Sequence, residues 1–95
     1  MAKLTIDLRE GFDDDEVVVR VADREVFRGR VSTRMQLGLA HRVETDVVGP
    51  ATVTVALGGA TRSLEVDPEA TPFVGADAGG GDLALRPQGE PFRYM

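Results

Sequence analysis

The stretch Glu16-Val17-Val18-Val19-Arg20-Val21-Ala22-Asp23-Arg24-Glu25-Val26-Phe27-Arg28 decides the fold class of this chain. Four of the five residues from 17 to 21 are valines, whose branched side chains suit a pleated strand better than a helix. A polar turn at Ala22-Asp23-Arg24 follows, and then a second, shorter alternation. Together they predict an antiparallel β-hairpin. Its register has two solutions. A two-residue loop at Ala22-Asp23 sets Arg20 opposite Glu25 and Val19 opposite Val26, whereas a three-residue loop through Arg24 sets Val19 opposite Phe27 and Glu16 opposite Arg30. One residue of slip turns every side chain of the return strand over, so only one of Val26 and Phe27 is expected on the Val17-Val19-Val21 face. Phe27 is preferred as the larger apolar group.

The chain on either side has the same grammar. Before the hairpin, Leu4, Ile6 and Leu8 alternate with Lys3, Thr5, Asp7 and Arg9, the pattern of a half-buried strand with its polar face in water. Glu10-Gly11-Phe12-Asp13-Asp14-Asp15 breaks that pattern as a turn, with Phe12 capping one end of the core. After the hairpin, Val31 to Gln36 lacks a period and reads as a crossing between two sheets. Alternation resumes from Leu37 and runs to Val47, with His41 in phase with Leu39 and Val43 and therefore inward or half-inward. Gly49-Pro50 ends that strand. Ala51 to Leu57 and Thr61 to Val66 flank Gly58-Gly59, a favourable hairpin turn. Beyond the corner Asp67 to Pro72, Phe73 to Ala76 is a short strand expected at an edge. Gly79-Gly80-Gly81 is a flexible turn, and Asp82 to Arg86 a last short strand.

Roughly seven or eight short strands, turning over every 8–12 residues with no amphipathic helix between them, make an all-β, antiparallel two-sheet β-sandwich. One domain spans residues 1–87, with an extended C-terminal tail over 88–95. The rhythm of strand, polar turn, strand, crossing, strand, Gly-Pro, strand, Gly-Gly, strand over residues 3 to 66 resembles small immunoglobulin-like or transthyretin-like accessory domains. That resemblance implies only the sandwich and carries no functional residue.

Composition narrows the function classes. The 95 residues contain no cysteine and one histidine, so thiolate chemistry and multi-histidine metal sites are excluded. The net charge of −5 opposes a nucleic-acid backbone, and one Tyr, four Phe and no Trp leave little to stack on bases or sugars. No apolar run approaches the roughly 20 residues of a membrane helix, and no signal-peptide pattern is seen, so a cytoplasmic location, no membrane partner and no cofactor are expected.

Several clusters are candidates for function. Asp13, Asp14 and Asp15 sit in a loop at one end of the sandwich and are candidate calcium ligands, joined by Asp67, Glu69, Asp77 or Asp82 if those loops meet. Three consecutive aspartates cannot all point at one ion, so the plain reading is a solvated turn. The glycine-rich run from Gly75 to Asp82 lacks the helix and lysine of a phosphate loop and reads as a hairpin connection. His41 lacks a recognisable nucleophile or orienting acid. Arg20, Arg28 and Arg30, with Arg42, gather on one outward face in the three-residue register and form a candidate partner-binding patch. Phe92 and Tyr94 place two of the five aromatic residues at the chain end, where they cover the domain itself or a neighbour. A non-catalytic interaction module that binds a protein partner or forms a homodimer is the leading expectation. A calcium- or small-ligand-binding sandwich is the alternative, and an enzyme using paired carboxylates comes last.

Overall fold

The computed structural model describes residues 2–33, 39–79 and 82–92. Eight strands follow one another: β1 (Ala2–Leu8), β2 (Asp15–Val21), β3 (Arg24–Val31), β4 (His41–Val47), β5 (Ala51–Leu57), β6 (Ala60–Val66), β7 (Phe73–Gly79) and β8 (Asp82–Gln88). They form two four-stranded sheets, in the orders β4-β1-β7-β8 and β3-β2-β5-β6. The protein is a two-sheet β-sandwich. Among the described residues no helix is long and apolar enough to cross a membrane.

Period-two burial builds the interior. Leu4, Ile6, Leu8, Val17, Val19, Val53, Val55 and Val74 are completely buried, Val21 almost so, and Phe12 closes one end as expected. Neighbouring strands are antiparallel except for β1 and β7, which run parallel in the register Ile6 to Val74 and Leu8 to Ala76. The expectation of a short edge strand at Phe73 is thereby corrected. β7 has seven residues and lies inside its sheet, between β1 and β8. In its run Val74-Gly75-Ala76, Val74 and Ala76 share the interior face with Ile6 and Leu8, and Gly75 is covered from the other face by Phe92 and Arg9.

The hairpin adopts both candidate registers at once. Ala22 and Asp23 form a two-residue turn, each with positive φ (52° and 64°), and set Arg20 opposite Glu25. A β-bulge then shifts the pairing, so that Val19 faces Phe27 and Glu16 faces Arg30. The sequence reading admitted only one of Val26 and Phe27 to the interior. The bulge packs both against the core.

The two open sides of the sandwich are closed differently. Arg62, paired with Val55 on the inner face of β6, reaches across to β8, donating Nε–H to the Leu83 carbonyl (3.2 Å) and Nη2 to Asp82 (2.8 Å). On the other side Phe27 stacks on His41, with ring centroids 4.4 Å apart. His41 lies opposite Leu8, on the inward side as its phase predicts, but it is exposed because β4 is an edge strand. The strand expected from Leu37 begins at His41, and residues 34–38 lie outside the described residues, as do Gly80 and Gly81.

The polar face of β1 is also corrected. Thr5 and Asp7 are buried, at 7% and 1% exposure, although they point away from the interior. β1 is flanked on both sides, and Gly75 lies beside Asp7 in the parallel register. The C-terminal segment fills the space above that glycine. β8 continues through Pro87 to Gln88, which its edge position tolerates. Gln88 then donates Nε2–H to the carbonyls of Glu90 (2.7 Å) and Pro91 (3.3 Å). The Phe92 ring lies where a Cβ on residue 75 would be, 2.7 Å from its Cζ, and the Arg9 guanidinium sits 4.6 Å over its centroid. Burying one phenylalanine contributes about 1.5–3 kcal/mol and such a cation–π contact about 0.5–1 kcal/mol. Ordering four backbone residues costs about 1–2 kcal/mol each. The ordering cost is about twice that gain, so the Gln88 hydrogen bonds and the fixed φ of Pro91 are needed to keep the segment down.

Candidate functional site

The outer face of the β3-β2-β5-β6 sheet brings three of the sequence-derived candidates together. Cross-strand pairing sets Glu16 beside Arg30, Val18 beside Arg28 and Arg20 beside Glu25 on one face. On the other flank of β2, Val18 neighbours Ala56 and Arg20 neighbours Thr54. The result is a shallow cleft of about 250 Å3 with Val18 and Ala56 as its floor and Arg20, Arg28, Thr54 and Thr61 as its rim. The pleat makes this arrangement: residues two apart share a face, so the alternation that buries Val17, Val19 and Val21 turns Val18 and Arg20 outward. Val18 is the apolar residue that the run of valines leaves over.

Charge on this face is partly ordered. Arg28 donates Nη2 to Glu25 at 2.8 Å and stands 3.9 Å from Glu16. The hydrogen bond from Arg28 holds the Glu25 carboxyl below the usual glutamate range, against the cost of desolvation and with the charges of Arg28 and then Arg20 adding to the effect. Glu25 in turn raises Arg28. Because the folded carboxyl has the lower pKa, Glu25 stabilises the hairpin fully above about pH 4.3, its unfolded value, and this contribution fades as acid protonates the folded group. In an NMR titration the Glu25 carboxyl is expected to have a lower midpoint in the wild type than in Arg28→Gln. Equal midpoints would show that the pair has no electrostatic consequence.

Arg42 does not join this patch. It belongs to β4 in the opposite sheet and binds Asp7, Nε to Oδ1 at 2.8 Å and Nη2 to Oδ2 at 3.3 Å. Sequence reading placed both residues on a face in water and missed the pair. A glycine flanked by alternating apolar positions, as in Val74-Gly75-Ala76, was the available signal that something packs on that face.

The acidic run forms a turn with internal bonds. Asp13 N–H donates to Asp15 Oδ2 (2.9 Å), Asp14 N–H donates to Ser32 Oγ (2.8 Å), and Arg30 Nη1 reaches the Asp14 carbonyl (3.0 Å). The turn borders an open cleft of about 550 Å3 lined by Asp14, Asp15, Glu16, Arg30, Gly58 and Gly79. Among the described residues no group of three or more His, Asp or Glu is placed to hold a metal ion. Asp77 sits by Arg9 (3.6 Å) and Asp82 by Arg62, while Asp67 caps its own corner by accepting from the Glu69 N–H (3.0 Å). Phe92 is spent on the chain's own body, at 8% exposure. Tyr94 lies outside the described residues.

Comparison of the chain with protein-family models, with curated proteins and with solved structures found no match to any of them.

Proposed function

We infer that this β-sandwich is a non-catalytic interaction module, and that the outer face of β3, β2 and β5 is where it meets a protein partner. One observation carries the reading. An apolar floor of Val18 and Ala56 is rimmed by Arg20 and Arg28 on a flat strand face. Arginine around a small apolar centre is the composition favoured at protein–protein interfaces, because the guanidinium keeps binding carboxylates while its stem packs. Arg28 is paired with Glu25 and Arg30 with Asp14, and Arg20 stands at the rim outside those ion pairs. The partner that fits presents carboxylates around one projecting apolar side chain.

Arg20→Glu combined with Thr61→Arg reverses one rim charge and fills the cleft, at two exposed positions where the fold tolerates change. The wild-type chain, immobilised, is expected to retain a defined acidic protein that the double variant retains at least about tenfold less. Equal retention by the two chains would remove this face from the reading. A wild-type chain that retains no protein and stays monomeric at high concentration would end it.

A further inference from the structure

We propose that the edge of β4 is a dimerisation site for a second copy of this chain, with the two β4 strands pairing antiparallel about a two-fold axis at Val43. This deepens the interaction-module reading by naming one partner, and it uses the opposite sheet from the face discussed above.

The direction of the peptide groups comes first. Thr5 N–H donates to the Pro72 carbonyl (2.8 Å) and Arg9 N–H to the Ala76 carbonyl (2.7 Å), both on the β7 side of β1. Peptide groups alternate along a strand, so those of Leu4, Ile6 and Leu8 turn the other way, toward β4. Their partners there are Thr45, Val43 and His41. The peptide groups of Arg42, Glu44 and Asp46 therefore turn to the outer edge of the sheet.

The four sheet edges differ in how well they resist pairing. β3 is bulged beside Val26, β8 contains Pro87 and gives its Leu83 carbonyl to Arg62, and β6 abuts β8 through that same arginine. Bulges, prolines and inward charges are the devices that keep edge strands from joining others. From His41 to Val47, β4 has no proline, no glycine and an unbroken register with β1, and its one guard is the charge of Arg42, Glu44 and Asp46.

Charge then selects the register. Two-fold pairing through the edge-facing groups can set Arg42 opposite Arg42, Arg42 opposite Glu44, Glu44 opposite Glu44, or Glu44 opposite Asp46. Three of these bring like charges face to face, which opposes pairing, although the Glu44–Glu44 register also sets Arg42 opposite Asp46 on each side of its axis. The remaining register alone has no like pair: it sets Arg42, already bound to Asp7, beside Glu44 of the second copy, already bound to Lys3 (2.7 Å), twice, once on each side of the axis. In it those two residues exchange both backbone hydrogen bonds, Val43 meets Val43, and two four-stranded sheets become one continuous sheet. The occupant that fits this edge is the edge itself.

Sedimentation equilibrium of the full chain tests the proposal. The expected result is a concentration-dependent equilibrium between the 10.2 kDa monomer and a species of twice that mass. Glu44→Lys opposes a cation to Arg42 and is expected to weaken association at least about tenfold. Glu44→Pro removes an N–H that faces the edge and not β1, so it is expected to leave the far-ultraviolet circular dichroism unchanged and to abolish the dimer. Amide exchange supplies an independent readout, with Arg42 and Glu44 gaining protection as wild-type concentration rises. A monomer up to concentrations on the order of 1 mM, or a dimer that both Glu44 variants leave intact, would overturn the proposal. Either result leaves the arginine-rimmed face to be judged by its own partner-retention experiment.

Discussion

Gly11→Ala is expected to destabilise this protein by about 2–6 kcal/mol, more than its place in an exposed turn suggests. Two costs add. The backbone at Gly11 has φ of +89°, which an L-residue with a Cβ adopts only with strain of about 1–3 kcal/mol. The added Cβ would also lie 1.6 Å from the Ala78 carbonyl oxygen and 2.4 Å from its carbon. These are backbone atoms of β7, held by the Ala78 N–H to Glu10 carbonyl bond at 2.7 Å, so no side-chain rotation relieves the contact. Overpacking of this kind costs about 1–3 kcal/mol. Urea unfolding should show a lower midpoint with an unchanged slope. Gly79→Ala is the control, because a Cβ there meets nothing within 4 Å, and it should stay within about 0.5 kcal/mol. A loss below about 1 kcal/mol for Gly11→Ala would mean that the turn moves off β7 at little cost.

The second large effect is expected at Arg42→Ala, at about 2–3 kcal/mol. The Asp7 side chain is 2% exposed, and its carboxylate accepts two bonds from the Arg42 guanidinium. Removing one partner of a fully buried ion pair costs about 3–5 kcal/mol, because the remaining charge stays in a poorly solvating place. The Arg42 side chain is 45% exposed, so water entering its space screens the carboxylate and places the cost lower. Asp7→Asn combined with Arg42→Ala removes the charge that needs the cation. That double variant should recover about 1 kcal/mol relative to Arg42→Ala alone. If the double variant is the less stable of the two, the buried charge is not what the arginine compensates.

These two sites differ in how far the chain announces them. Gly11 stands in an evident turn, and its need for a left-handed backbone agrees with its residue type. Asp7 gives no local sign. It occupies the polar phase of an alternating strand, and its burial depends on Gly75 and Phe92, which are 68 and 85 positions away along the chain. The arginine patch lies between these cases. Alternation sets Arg28 and Arg30 outward beside Arg20 only in the three-residue register, and their meeting with Val18 and Ala56 depended on the bulge and on β5 pairing with β2.

What the residues decided locally was which side chains point inward. A strand repeats every two residues, and solvation then separates Val17, Val19 and Val21 from Val18 and Arg20, so strand positions and hairpin turns followed from neighbouring residues. Strand order, the parallel pairing of β1 with β7, the bulge that lets Val26 and Phe27 both pack, and the docking of Phe92 over Gly75 were decided by the assembled sheets. Each of these depends on contacts between segments far apart in sequence, where the gain comes from surfaces that exist only once both partners have formed. Alternation tells a residue its face, whereas only the assembled sandwich tells that face whether it meets water.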